Sequence, residues 1–554
     1  LEEVKGRRRA KFGGSGLSPS NQAHAFAACP AREKKQAMNA TWPNIGIITA
    51  YNDVLSAHQP YEIYPNHIKS EARKNGCTCQ VAAGVPAMCD GVTQGMPGME
   101  LSLFSRDVIA MATSIGLSHD IFDSAIFLGI CDKIVPGMLI GASQFGHIPS
   151  IFVPSGPMTS GLANNKKSEI RRLYADGKVS RAELVEAETA SYHGPGTCTF
   201  FGTANTNQLM LEFLGLMVPS SAFVTPGTQL RTELTNEAVK IASAISRPGE
   251  NYIPISDVIT ENSIVNAMVG ILASGGSTNH TLHLPAIARA AGIIINWEDF
   301  DELSKIVPLL ARIYPNGEAD VNHFHAAGGT GFLFGELLRA GYLHPDATTV
   351  WGESFKDYCV EPKLKDGNLH WDKTPTKPLD RSVLSGVDQP FESEGGIRLL
   401  EGDFGRAIIK TSAVERRHQK IKAPAVVIER QEDLTTLFKL GHLDRDCVVV
   451  VRYQGPKALG MPELHKLTSI LGVQQDKGYQ VALMTDGRMS GASGKVPAAI
   501  HLVPEAADGG LLARICDGDV ILLDALEGTL NIVGDIRAIM SRDPSRPMWI
   551  DQRG

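Results

Sequence analysis

Three short segments set a cysteine beside an aspartate or inside a glycine-rich turn, so that soft sulfur and hard oxygen ligands could stand side by side. Cys131-Asp132-Lys133-Ile134-Val135-Pro136-Gly137 follows an apolar run and precedes a helical stretch, the edge of an α/β sheet where ligands usually bind. Met88-Cys89-Asp90-Gly91-Val92-Thr93-Gln94-Gly95 repeats the Cys-Asp pair among turn-forming glycines. In Gly194-Pro195-Gly196-Thr197-Cys198-Thr199-Phe200-Phe201-Gly202-Thr203-Ala204-Asn205-Thr206-Asn207, small residues let the backbone approach a bulky group, and Cys198 is the only soft ligand. Thiolate sulfur suits an iron-sulfur cluster, and carboxylate oxygen suits Mg²⁺. Each segment also has a plainer meaning: a turn closed by an Asp-Lys ion pair, a glycine turn with an inert thiol, and a glycine-rich connection with a buried thiol. Cys77 and Cys79 are spaced too tightly for most shared-metal sites and are expected to be structural.

A fourth segment, Thr485-Asp486-Gly487-Arg488-Met489-Ser490-Gly491-Ala492-Ser493-Gly494-Lys495, follows a β-branched run and is crowded with turn formers. A Walker phosphate loop needs Ser or Thr after its Gly-Lys, whereas Val496 follows Lys495. An anion-binding nest and an ordinary surface turn both remain open. Glu463 ends the loop Gly460-Met461-Pro462-Glu463 and by itself reads as a solvated carboxylate or a ligand. His280 with His283, and His323 with His325, lack the acidic or thiol company of a closed metal site and are read as structural or substrate-polar.

The elements that must position these residues form a large N-terminal α/β domain with a mostly parallel sheet, followed by a smaller β-rich domain. Asn44–Thr49, Ala125–Ile130 and Pro149–Val153 read as buried strands, with a helix from Pro136 to Phe145 between the last two. Apolar runs alternate with helical stretches through the first two thirds of the chain. Ser180 and Glu183 form a capping box that opens a helix running towards His193. Between about Pro362 and Glu394 the sequence turns polar and rich in Pro, Gly and Asp, which places the boundary between a domain over 1–375 and one over 385–554. Beyond it, Ala425–Ile428, Cys447–Val451, Val481–Met484 and Val520–Leu523 are short β-branched runs.

At 554 residues the chain exceeds the roughly 250–300 at which single cores stop growing. Apolar residues make up 43% and charged residues 20%, ordinary for a globular protein, so disorder is excluded. A net charge of −7 argues against a sequence-independent grip on nucleic acid, which needs clustered cations. The dense basic run Lys5-Gly6-Arg7-Arg8-Arg9-Ala10-Lys11 is expected to be a solvated terminus. No stretch approaches the ~18 apolar residues of a membrane span. Nine cysteines, irregularly placed and odd in number, point to a reducing compartment, and a cytoplasmic location is expected. The chain opens at Leu1 rather than Met, so a native start further upstream is expected.

Taken together the segments resemble the dihydroxy-acid and phosphogluconate dehydratase family, over about Asn44 to Glu505. The blocks Cys131–Gly137, Gly202-Thr203-Ala204-Asn205, Gly275-Gly276-Ser277-Thr278-Asn279 and Thr485-Asp486-Gly487-Arg488 look like its hallmarks. The resemblance implies that Cys131 and Cys198 hold an iron-sulfur cluster, that Asp90, Asp132 and Glu463 bind Mg²⁺, and that Ser490 abstracts the proton. It also matches Lys133 to a lysine carbamylated in some members. Where several members carry a third cluster cysteine in a Pro-Cys-Asn turn, this chain reads Val54-Leu55-Ser56-Ala57-His58. Cys89 is the expected replacement, and the cluster type expected is 4Fe-4S.

Tyr51–Pro60, the Cys89 block and Thr197–Gln208 are similar to the phosphogluconate branch, so the expected substrate is the sugar acid 6-phosphogluconate. Its phosphate needs a cationic seat, for which charge and location offer Arg488 and Lys495, though either could make a structural ion pair. The family also implies a homodimer, acting on a small molecule without nucleic acid or membrane. Competing readings are dehydration of a branched-chain dihydroxy acid or an unphosphorylated sugar acid, and a non-catalytic iron-sulfur sensor. The hard oxygen ligands beside the cysteines count against the sensor.

Overall fold

A computed structural model describes residues 17–39, 42–248, 251–491 and 494–547. The basic run Lys5–Lys11 lies outside them. The first sheet is wholly parallel, with strands β1 (Asn44–Thr49), β2 (Thr78–Gly84), β3 (Ser124–Leu128) and β4 (Ser150–Phe152) in the order β2-β1-β3-β4. Every residue of β3 and β4 is buried, the continuous apolar run of a sheet covered on both faces.

After β4 the described residues form helices, turns and isolated bridges until a hairpin of β5 (Val360–Lys365) and β6 (Asn368–Lys373). The expected alternation of strands and helices therefore stops at Phe152. Helices Thr203–Phe213 and Glu261–Ser274 are buried almost all round, and a short apolar run buried on every side carries no period to separate helix from strand. The Ser180/Glu183 capping box is formed, at the start of the helix Arg181–Ser191.

The second part is a closed eight-stranded barrel. In chain order it uses β7 (Ile397–Gly402), β8 (Gly405–Lys410), β9 (Lys420–Ile428), β10 (Cys447–Val451), β12 (Val481–Thr485), β14 (Ala498–Val503), β15 (Val520–Asp524) and β16 (Thr529–Ile532). Around the barrel the order is β10-β12-β14-β8-β7-β16-β15-β9, with β9 closing on β10. Side chains such as Ile409, Ile421, Val448, Val450 and Met484 fill it, as expected at this strand number. Outside the barrel wall, β11 (Glu463–Leu464) pairs in parallel with β13 (Arg488–Met489). Among the described residues no helix is long and apolar enough to cross a membrane.

Two helices set the position of the Cys131 segment. Ile134–Ser143, which starts directly after Lys133, packs along Ser102–Leu117 at very short range, because glycines sit at the crossing. A Cβ on Gly141 would stand 2.6 Å from Thr113 Cβ and 2.7 Å from the Ala110 carbonyl oxygen. Backbone on the far side cannot give way as a flexible side chain would. Gly141→Val is expected to lower the unfolding free energy by about 1–3 kcal/mol, read from the denaturant midpoint, with Gly141→Ala losing less. A valine variant as stable as the parent would mean that the helices are free to move apart.

Candidate active site

The site lies where the parallel sheet meets the outside of the barrel. From the sheet side, β3 ends at Leu128 and the chain turns at Cys131, whose φ of 73° is left-handed, an uncommon conformation for a residue with a side chain. His58 Nε2 lies 3.0 Å from both the amide nitrogen and the carbonyl oxygen of Ile130, fixing the residue before the turn. Asp90 opens a one-turn helix with Cys89 directly before it. From the barrel side, the loop after β10 leads to Glu463, and the loop after β12 leads to Arg488 and Ser490. Asp486 ties those two loops together by accepting from the amides of Tyr453 at 3.2 Å, Gln454 at 2.8 Å and Ala506 at 2.9 Å. Tyr453 and Met461, with φ of 62° and 58°, add two more left-handed turns to the same loop.

Asp90, Asp132 and Glu463 converge so that one carboxylate oxygen of each lies within 4.8 Å of the others. Two fully buried cations stand among them. Arg488 donates from Nη1 to Asp132 at 2.9 Å and to Glu463 at 3.1 Å, and from Nη2 to Asp90 at 3.0 Å and Ser102 Oγ at 2.8 Å. Its Nε donates to the Met461 carbonyl at 3.0 Å. Lys133 Nζ pairs with Asp90, and with Asp132 at 3.1 Å. Burial alone would lift Asp132, but Lys133 and Arg488 outweigh it and hold that carboxyl well below its usual range. Glu463 goes the other way: burial, and next the charge of Asp90, push it up to about 8. Fully ionised, three carboxylates against two cations would leave a buried excess of negative charge, and the upward shift of Glu463 is the response to it.

Polar side chains aim this cluster. His283 Nε2 lies 3.2 Å from Asp132 Oδ1, and burial keeps that imidazole below its ordinary value. Asn279 Nδ2 donates to Thr203 Oγ1 at 3.0 Å, joining the Gly275–Asn279 and Gly202–Asn205 blocks beside Asp132. Gln94 Nε2 donates to Glu463 Oε1 at 3.4 Å. Ser490 is buried directly after β13, and its amide donates to the Leu464 carbonyl at 3.1 Å. The next residue, Gly491, is pressed against Gly202 and Thr203, where an added Cβ would lie 2.8 Å from the Thr203 amide nitrogen.

The thiols gather beside the carboxylates. Burial raises Cys131 first, and then the neighbouring Cys89 and Cys198 do. Cys198 is raised to about 12 by burial and next by Cys89. All three are free thiols. Asn207 Nδ2 donates to the carbonyls of Cys131 at 2.9 Å and Asp132 at 3.1 Å. Asn205 Nδ2 does the same for Cys198 at 2.7 Å and Phe200 at 2.8 Å, so one helix, Thr203–Phe213, holds both cysteine turns. Ser56 accepts through its carbonyl from the Gly196 amide at 2.7 Å. Cys77 and Cys79 are core residues, Cys77 Sγ donating to Ser243 Oγ at 3.0 Å.

Both residues expected to seat the phosphate have carboxylate partners. Arg488 spends its guanidinium on the carboxylates and Ser102. Lys495 pairs with Asp476 on the surface, its side chain 44% exposed. His323 is likewise outside the cluster, 2.6 Å from Asp320. Sequence reasoning left His283 open, included Asn207 in the Cys198 segment without giving it a role, and passed over Ser102, which no local pattern marks.

A parallel sheet joined to a barrel, with buried carboxylates and convergent thiols at the junction, defines a two-part α/β enzyme built around an acidic candidate metal centre. The chain belongs to the dihydroxy-acid/6-phosphogluconate dehydratase family: the model of its N-terminal part matches residues 42–358 and that of its C-terminal part residues 382–551. It is 56% identical to a phosphogluconate dehydratase of Rhizobium meliloti over 96% of this chain and 88% of that one. The same identity and shares hold for a phosphogluconate dehydratase of Escherichia coli. A dihydroxy-acid dehydratase of Ignicoccus hospitalis is 34% identical over 92% of this chain and 89% of its own.

Removing one partner from a buried charge cluster leaves the others uncompensated. Arg488→Met is therefore expected to cost about 3–5 kcal/mol in unfolding free energy, with part of the loss recovered in Mg²⁺. Chemical denaturation with and without the cation checks this, and an undiminished midpoint would show that the carboxylates do not depend on the guanidinium.

Proposed function

We infer that this chain dehydrates 6-phospho-D-gluconate to 2-dehydro-3-deoxy-6-phospho-D-gluconate and water, the hydro-lyase step of the Entner-Doudoroff pathway. The observation that carries the substrate is the gap between 56% identity to phosphogluconate dehydratases and 34% to a dihydroxy-acid dehydratase over comparable lengths. The same reading has the chain work in the cytoplasm as a homodimer on a small molecule, without nucleic acid or membrane. It divides the chain into a cluster- and metal-binding domain over 1–375 and a domain over 385–554 that carries the base.

The donor chemistry fits two cofactors. Asp90, Asp132 and Glu463 are the hard oxygens that suit Mg²⁺, and their excess negative charge is what a divalent cation neutralises. Cys131, Cys198 and Cys89 are the soft donors for an iron-sulfur cluster of the 4Fe-4S type. Their mutual electrostatic penalty as free thiols supports that grouping. When bound, the cation acidifies the C2 proton next to the substrate carboxylate, and the cluster offers an iron as Lewis acid to the C3 hydroxyl.

The remaining work falls to side chains. Ser490 takes the C2 proton, and because a neutral hydroxyl is too weak a base it must act as an alkoxide. Arg488, two residues before Ser490 on the same loop, is the permanent positive charge nearest to it in the chain. Lys133, once carbamylated, would exchange its positive charge for a further oxygen ligand. Asn205, Asn207 and His283 hold the cysteine turns and Asp132 in place, so that little reorganisation accompanies the reaction.

Under anaerobic conditions, Ser490→Ala is expected to lower turnover of 6-phosphogluconate at least about 10³-fold while iron content and visible spectrum stay as in the parent. Surviving activity would reassign the base. Cys89→Ser is expected to lower iron content where Cys77→Ser does not; equal iron in both would remove Cys89 from the ligand set. Preference of the parent for 2,3-dihydroxyisovalerate would overturn the substrate.

A further inference from the structure

We propose that Lys167, with Arg171 one helical turn further on, seats the phosphate of the substrate. This rests on the phosphogluconate reading and supplies the cationic seat that Arg488 and Lys495 do not.

Lys167 lies on the helix Asn164–Ala175 and is only 4% exposed. Its Nζ donates to Tyr192 Oη at 3.1 Å and sits 4.3 Å from the centre of that ring and 5.6 Å from the centre of Phe200. Among the described residues no carboxylate lies within ion-pair distance of it, so at least two of its three N–H donors have no anionic partner. A buried ammonium without an anion is costly, and burial, followed by the charge of Arg171, brings Lys167 down to about 8. Arg171 binds Glu188 in a fork, at 2.5 and 2.8 Å. Two cations against one carboxylate leave one positive charge over, the reverse of the imbalance at Asp90, Asp132 and Glu463. An ammonium serves a phosphoryl group as a point charge, and Arg171, its guanidinium held by Glu188, adds to the positive potential around it.

The position is as telling as the charge. Phe200 is two residues past Cys198, and Asn164 Nδ2 reaches Thr199 Oγ1 at 3.5 Å, so this helix leans on the Cys198 turn itself. Asp132 and Lys133 follow Cys131 directly in the chain and put that thiol on the carboxylate side, whereas the Cys198 turn carries Thr199 and Phe200 against the Lys167 helix. The order through the site is therefore carboxylates, Cys131, Cys198, Lys167. A six-carbon acid carries its carboxylate and its phosphate at opposite ends. With C1 at the carboxylates and C3 at the cysteines, the tail runs on past Cys198 and brings its phosphate to Lys167. Tyr192, 38% exposed, borders this end on the solvent side and fixes the ammonium by its hydroxyl.

The test compares the parent with Lys167→Gln and Lys167→Arg as holoenzymes, using 6-phosphogluconate, unphosphorylated gluconate, and inorganic phosphate as inhibitor. For Lys167→Gln the ratio of kcat/KM for phosphogluconate to that for gluconate should fall about 30-fold, mainly through KM, and the inhibition constant of phosphate should rise by about 10-fold, the loss of a charge-assisted hydrogen bond. Lys167→Arg should recover most of both. Lys166→Gln, on the exposed neighbour that pairs with Glu169 at 3.0 Å, should change neither. A Lys167→Gln variant that loses both substrates alike, with phosphate inhibition unchanged, would overturn the seat and leave the substrate assignment standing. A parent that ignores phosphogluconate would overturn both.

Discussion

Everything near the site is arranged around one electrostatic problem, three carboxylates gathered with little of any of them open to solvent. Asp90, Asp132 and Glu463 come from three distant points of the chain, and each would rather be solvated or protonated. Lys133 and Arg488, both without solvent exposure, make the gathering possible, yet they do not fully balance it. Glu463 bears the remainder, driven upward by burial and by Asp90. A site left short of positive charge in this way is prepared for a cation instead of being closed by side chains.

Holding that arrangement requires rigid, close backbone, and the fold supplies it through turns and crossings that are themselves unfavourable. Cys131, Tyr453 and Met461 take left-handed conformations, and Gly491 is jammed against Gly202 and Thr203. Such strain persists only where the surroundings over-determine it. Here they do so through Asp486, which binds three amides of the barrel loops, and through Asn205 and Asn207, which hold the two cysteine turns from a single helix. The barrel and the sheet are each ordinary; their junction is where the chain concentrates its exacting geometry.

What the sequence made legible follows from the range of each interaction. The strands Asn44–Thr49 and Cys447–Val451 and the Ser180 capping box are local patterns, and the chain forms them where they are written. Cys131, Asp132, Cys89 and Asp90 were legible as chemistry because soft and hard donors are adjacent in the chain. Closure of eight strands into a barrel was not, since it depends on pairings such as β9 with β10 and β14 with β8 that no local period encodes. Nor was the helical region after Phe152, where full burial erases periodicity. The partners of Arg488 and Lys495 were hidden for one reason: charge and loop position are visible in a sequence, whereas Asp132, Glu463 and Asp476 come to them only in space.

Lys167 is the same lesson inverted. In the sequence it sits in Asn164-Asn165-Lys166-Lys167, next to an identical neighbour, and nothing distinguishes the two. One helical position separates an ammonium in solvent, paired with Glu169, from one buried against Tyr192 and Phe200 with no carboxylate in reach. In the proposed seat, the carboxylates stand by the Cys131 turn and Lys167 by the Cys198 turn. A molecule long enough to satisfy both must pass the cysteines, so the charge pattern fixes the direction of an elongated acid in the site and rewards those that end in an anion. Specificity for a phosphorylated substrate then needs no change in the centre where bonds break, only a single unpaired cation at the correct distance beyond it.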